Sequence, residues 1–312
     1  MLGELQPDPE SSDSFERPRI CAAVVTYNIG EAINRCFDSI RSQVAHVIIV
    51  DNGSGETTRR ALDKLETLDC VTLILNERNE GLAHAYNQAV RWARDRDFQW
   101  ILTLDHDSEA TPGMVDKLAK AYATLASQGI KNVGVIGANP FDVNIRRYLL
   151  NGPRGGCGTH VEDQAEVISS GSLIPLRIFD LIGFFNEDIF IYYVDTDFCM
   201  RVTRHGLRVY LCTDAVMLHR EGLKSYRRFL WWETPYTHYG RIARYYLTRN
   251  LVYMLSNHSL PPGYALGLLR SNWEDHMKIL LFDAQRFRIL WFSLRGLIDG
   301  LRGKVGPISF GF

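Results

Sequence analysis

The segment WILTLDHD, residues 100–107, decides the fold. Its first five residues are apolar or β-branched and suit a strand buried on both faces, yet the chain then turns abruptly acidic at Asp105-His106-Asp107. Strands of this kind belong to mostly parallel sheets, where polar residues gather beyond the carboxyl ends and ligands bind there. Working outward, the same shape recurs. ICAAVVTYN (20–28) ends in Thr26-Tyr27-Asn28, HVIIVDNGSG (46–55) ends in Asp51-Asn52-Gly53-Ser54, and VTLILN (71–76) runs into a polar turn that reaches Gly81. Between them lie segments with apolar residues at helical spacing: 31–43, about 56–68, and Gly81 to Asp95. A further helix follows TPGM (111–114), and VGVIGA (133–138) makes a fifth strand. The alternation predicts βαβ units, hence an α/β fold with helices on both faces of the sheet.

Composition bounds the rest. Of the 312 residues 46% are hydrophobic and 23% charged, which is ordinary for a globular protein large enough to bury a full core. The six cysteines show no CxxC pair and no framework spacing, so reduced thiols and a cytoplasmic setting are expected. Residues 1–18 are acidic, carry proline and lack an apolar core; they read as a disordered tail, neither signal peptide nor membrane span. Residues 19–222 read as the main domain. Residues 223–312 read as a basic, aromatic, helical extension, with 13 Lys and Arg against 5 Asp and Glu. Such a tail suits an anionic partner. Packing on the main domain or a second subunit is the plainer reading, and contact of at least the last helix with the inner face of a membrane is the sharper one. A nucleic-acid partner is not expected.

Chemistry concentrates at the strand ends. Asp105 and Asp107 can share one hard divalent cation, Mg²⁺ or Mn²⁺, whose remaining positions phosphate and water complete. As a bare triplet they equally suit a turn before the helix that follows Pro112. IYYVDTDFCMRVTRHG (191–206) reads as a strand followed by a helix that stops at Gly206. Asp195 and Asp197 then either cap and favour the positive end of that helix or face a cleft. His219, ending VYLCTDAVMLH, is a candidate third metal ligand or a satisfied structural histidine. A nucleotidyltransferase is disfavoured because VVTYNIGEAINR offers one glycine and no lysine after the first strand. A dinucleotide oxidoreductase is disfavoured because no GxGxxG follows it.

Taken in order, VVTYN, VDNGS, NEGLAHAYN (79–87), LDHDS, SSGSLIP (169–175), DTDFCMR (195–201) and LHREG (218–222) resemble the family-2 glycosyltransferases of GT-A fold, bacterial rhamnosyltransferases most of all. YYLTRNLVYM (245–254) is also similar to a segment that follows the catalytic domain there. The resemblance implies transfer of a sugar, L-rhamnose from dTDP-L-rhamnose before a UDP-sugar, to a glycan or lipid-linked glycan with inversion. A non-catalytic nucleotide-sugar-binding module is the competing reading. By the same resemblance Thr26, Tyr27 and Asn28 line the nucleotide pocket and Asp51 bonds the base. Asn79 and Gly81 lie where backbone approaches nucleotide and sugar. Asp105 and Asp107, with His219, hold the metal on the diphosphate. Asp195 is the base and Asp197 its alternative, because Val194 stands where many members carry an acid. His106 is expected to point away from the metal.

Overall fold

The computed structural model describes residues 19–150, 152, 160–220, 224–229, 232–258 and 260–308. The expected acidic tail and most of the glycine-rich segment 151–160 lie outside these residues, as does Cys157. The other five cysteines carry free thiols.

The first half alternates as its periodicity predicts. Strands β1 (Ile20–Thr26), β2 (His46–Asp51), β3 (Val71–Leu75) and β4 (Trp100–Asp105) are interleaved with helices α1 (Ile33–Ile40), α2 (Glu56–Glu66) and α3 (Leu82–Arg94). Then come β5 (Ser108–Ala110), α4 (Met114–Ser127), β6 (Val133–Asp142), β7 (Arg147–Tyr148), β8 (Val161–Gln164) and β9 (Ser172–Pro175). They are followed by α5 (Ile178–Ile182), α6 (Val194–Arg204) and β10 (Arg208–His219). The C-terminal part is a hairpin, β11 (Lys224–Phe229) and β12 (Trp232–Thr237), and three helices, α7 (Arg241–Asn257), α8 (Pro262–Phe282) and α9 (Arg286–Leu301).

The main sheet runs β3-β2-β1-β4-β9-β6-β10-β5. β1 is parallel to β2 and β4, and β2 to β3, so four strands end on one edge. β6 and β10 are also parallel, and the short antiparallel β9 joins the two blocks. Helices cover both faces because both faces of β1, β2 and β4 are apolar and buried. In β1, Cys21, Ala23 and Val25 pack under α3, α5 and α6, whereas Ile20, Ala22 and Val24 pack under α1, α2 and α4. Each fully buried Leu or Ile there contributes roughly 1.5–3 kcal/mol over exposure.

One expected strand does not form. Residues 191–193 are bent instead, and Tyr192 and Tyr193 both take left-handed backbone angles, φ 63° and 62°. No sheet neighbour offers them a ladder. Asn250 of α7 captures the carbonyls of Ile191 and Tyr192 at 2.7 and 3.1 Å. Left-handed geometry costs a bulky residue about 1–3 kcal/mol, so this turn persists because α7 holds it. α6 then ends at Arg204, and Gly206 just beyond it, at φ of +75°, makes the expected stop.

α7 and α9 pack at backbone distance. A Cβ on Gly296 would lie 2.4 Å from the Tyr245 carbonyl oxygen, and one on Gly300 2.8 Å from Val252 Cβ. Only glycine permits that approach.

Candidate active site

Two cavities stand out. The larger, about 1090 Å³, surrounds Arg19, Gln43, Trp100 and Tyr122, where β1 and β4 begin. The smaller, about 600 Å³, opens where they end, between Thr26, Asp105, Asp107, Asp195 and His219. Parallel strands bring chemistry to their carboxyl ends, and the paired acids are in the smaller cleft. It is the candidate site.

Asp105 ends β4. Its backbone N–H donates to Ser170 Oγ at 3.0 Å, and the buried Tyr86 hydroxyl of α3 donates to its Oδ1 at 2.9 Å. Asp107 is less well served. Its Oδ1 is buried and has no hydrogen-bond partner among the described residues. Burial, and then the neighbouring Asp105 charge, push its carboxyl above the usual value. An orphaned oxygen beside a second carboxylate is a place that lacks positive charge, and a divalent cation fits it. Asp105 and Asp107 would hold that ion, and phosphate oxygens and water would complete it.

His219 closes this corner. Its Nδ1 lies 2.9 Å from Ser108 Oγ and 3.7 Å from Asp107 Oδ1, and Ser170 Oγ donates to Ser108 Oγ at 2.8 Å. A ring whose Nδ1–H is given to Ser108 leaves Nε2 as the atom with a free lone pair. Among the described residues no group of three His, Cys, Asp or Glu side chains is gathered closely enough to hold a cation unaided. The Nδ1 of His106 is 3.2 Å from the Val25 carbonyl.

Asp195 sits half-buried in the first turn of α6, on the cleft wall. Burial and then the Glu166 charge raise its carboxyl to about 6, against backbone donation from Thr196 and Ser169 at 3.0 and 3.3 Å. That value suits a group that takes a proton near neutral pH. Asp197 is a different object. It is 1% exposed, does not line the cleft, and bonds His258 Nε2 at 2.9 Å and Arg201 Nε at 2.8 Å. Burial alone would raise its carboxyl, but His258 and Arg201 hold it below the usual range. It ties α6 to the end of α7.

The nucleotide end separates in the same way. Tyr27, Thr26, Asn79 and Gly81 line the cleft. Asn28 is on the adjoining turn, where its Oδ1 accepts from Gly55 N–H at 2.9 Å. Asp51, expected to bond the base, is fully buried. Its Oδ1 accepts from the Thr26 and Ser54 hydroxyls at 2.8 and 2.5 Å, and its Oδ2 from Ser54 N–H at 2.9 Å. The carboxylate organises the turn after β2, and Asn52 faces the cleft beside it. Gly81 has φ of +96°, and a Cβ there would meet the Phe190 carbonyl oxygen at 2.7 Å. The backbone that approaches this glycine is the chain's own 190 segment.

Sequence reasoning missed two contributions. Tyr86 was legible as the one hydroxyl on a buried, alanine-rich face of α3, because a buried phenol needs an acceptor. The wall made by His238, Tyr239, Ala243 and Leu247 carried no signal. It comes from the hairpin's end and α7, so the extension is part of the cleft.

In fold the chain is similar to solved glycosyltransferases of GT-A architecture. Residues 21–145 match the model of Glycosyl transferase family 2. It is 27% identical to the dTDP-rhamnosyl transferase RfbF of Shigella flexneri, over 92% of this chain and 97% of that protein. It is 21% identical to the low-salt glycan biosynthesis hexosyltransferase of Haloferax volcanii, over 91% of each. Its fold matches the mannosyltransferase of Pyrobaculum calidifontis solved with GDP-Man and Mn²⁺, with a TM-score of 0.53 and 18% identity over 92% of this chain and 76% of that one.

Proposed function

We propose that the protein transfers L-rhamnose from dTDP-L-rhamnose to a hydroxyl of a glycan or lipid-linked glycan, with inversion at the anomeric carbon. The observation that carries this reading is one cleft holding an under-neutralised carboxylate pair, Asp105 and Asp107, and a separate carboxyl at about 6, Asp195. Transfer from a nucleotide sugar needs both functions. The Shigella flexneri relative, a dTDP-rhamnosyl transferase, favours this donor.

The donor nucleotide lies along Thr26, Tyr27, Asn52 and Asn79, with its diphosphate at Asp105 and Asp107. A divalent cation bound there supplies Lewis-acid stabilisation of the negative charge that grows on the leaving diphosphate. Tyr86 fixes the Asp105 carboxylate; His219, held through Nδ1 by Ser108, would join as a further ligand through Nε2 only as a bound cation drew the three groups together. Asp195 accepts the proton of the acceptor hydroxyl as that oxygen attacks the anomeric carbon on the face opposite the diphosphate. One displacement results, and no covalent sugar–enzyme bond forms. Residues 19–222 carry this chemistry, and His238, Tyr239, Ala243 and Leu247 of the extension complete the cleft wall. No helix among the described residues is long and apolar enough to cross a membrane, and a lipid-linked acceptor would be met at a surface. We place that work on the cytoplasmic side.

The test is a screen of nucleotide sugars for transfer and donor hydrolysis with Mg²⁺, Mn²⁺ or excess EDTA. dTDP-L-rhamnose should be preferred. Asp105→Ala and Asp107→Ala should each remove most turnover in a folded protein. Undiminished transfer in EDTA would defeat the metal assignment, and preference for a UDP-sugar would defeat the donor.

A further inference from the structure

α8 is a helix of 21 residues that buries one of them, Ile279. Helices in water depend on packing an apolar face, so this burial is too little for its length. Its apolar face is present and uncovered among the described residues. Leu266, Leu269, Trp273, Met277 and Leu280 recur every three or four residues, and Leu266 and Trp273 are each 67% exposed. The neighbouring α9 repeats the pattern. Phe287, Trp291, Leu294, Ile298 and Leu301 follow the same spacing, with Phe287 78% and Trp291 65% exposed. The helices are joined by residues 283–285 and pack on each other. Two stripes of this kind on helices that pack together exceed the scattered apolar residues of an ordinary surface.

The charges around the stripes indicate the occupant. Three of the four acids on this stretch turn inward: Asp275 pairs with Arg244 at 2.6 Å, Asp283 accepts from Tyr236 Oη at 2.7 Å, and Asp299 from Tyr245 Oη at 3.0 Å, while the exposed Glu274 is neutralised by Arg270 one turn earlier at 2.8 Å. Arg288 and Arg302 are exposed and make no ion pair among the described residues. A second copy meeting this face about a two-fold axis would bring only the same excess of positive charge to it. An anionic lipid surface would neutralise them, while large aromatics at the water boundary favour the same medium. We propose that the α8–α9 face lies on an anionic membrane, with its apolar stripes in the headgroup boundary and its arginines among the lipid phosphates. The face joins the cleft through α7, which packs on α9 and lines the cleft with Ala243 and Leu247. The membrane would then present the lipid-linked acceptor, a role that rests on the transferase reading, although binding itself does not.

Sedimentation with vesicles of phosphatidylcholine, with and without phosphatidylglycerol, at low and high salt tests this in the full chain. Affinity for the anionic vesicles should be at least about tenfold higher at low salt and fall in high salt, as expected for a few cations near charged lipid. Trp273→Glu with Trp291→Glu should abolish binding, and Arg288→Glu with Arg302→Glu should weaken it selectively for anionic vesicles. Transfer to a soluble acceptor should survive in these variants, which separates a failure of this inference from a failure of the catalytic reading. Equal affinity for both vesicle types, or none for either, would overturn it. So would a dimer in solution that Trp273→Glu dissociates.

Discussion

Asp195→Asn should make the protein slower and more stable at once. The wild-type carboxyl rises from 3.8 to about 6 on folding. At about 1.4 kcal/mol per pH unit, the charged form costs the folded state roughly 3 kcal/mol at neutral pH. The sign follows from proton binding: the folded protein holds this proton more tightly than the unfolded chain. Stability therefore declines as pH rises from about 4 to 6 and is level above that. Asparagine removes the cost. It keeps one acceptor for Thr196 or Ser169 N–H and sets its amide against the other, which returns about 1–2 kcal/mol. A net gain of about 1–2 kcal/mol is expected at pH 8, shrinking below pH 6 and turning into a loss of about 1–2 kcal/mol near pH 4. Urea unfolding of both proteins in EDTA at those pH values measures it. Transfer should meanwhile fall by roughly 10²–10⁴ with donor binding retained, since asparagine cannot accept the proton. A variant that is less stable than wild type at pH 8 would refute the desolvated-base argument, and full activity would refute the assignment.

Other perturbations separate structural roles from chemical ones. Asp197→Ala strands Arg201 and His258, so it should cost about 3–5 kcal/mol in denaturation. The stability Asp197 contributes should fade as pH drops below about 4, because its carboxyl lies below the usual range. Asn250→Leu leaves the Ile191 and Tyr192 carbonyls without their donor; it should lose about 2–4 kcal/mol and slow transfer beyond what the folded fraction explains. If kcat per folded molecule is unchanged, α7 does not position the turn before Asp195. Gly296→Ala would drive α9 off α7 and lower stability by about 1–3 kcal/mol, seen as a reduced melting temperature.

Much of the fold could be read along the chain, because strand burial and helical spacing are local patterns. β1 to β4 with their intervening helices, the acids at strand ends, and Gly206 as a helix stop all follow from residues within a few positions of one another. The expected strand over Ile191–Tyr193 failed because its conformation is set from a distance, by Asn250. Asp51 reads as a polar strand end in sequence, yet three donors from Thr26 and Ser54 close around it and withdraw it from the cleft. Asp195 and Asp197 were indistinguishable by spacing, since both stand in the first turn of one helix. What separates them is the rotation of α6, fixed by His258 at the far end of α7, which takes Asp197, and by the Ile182 carbonyl of α5, which takes Arg201. Two residues along a helix is about 200° of rotation, so once His258 takes the buried carboxylate, the other is left facing the cleft.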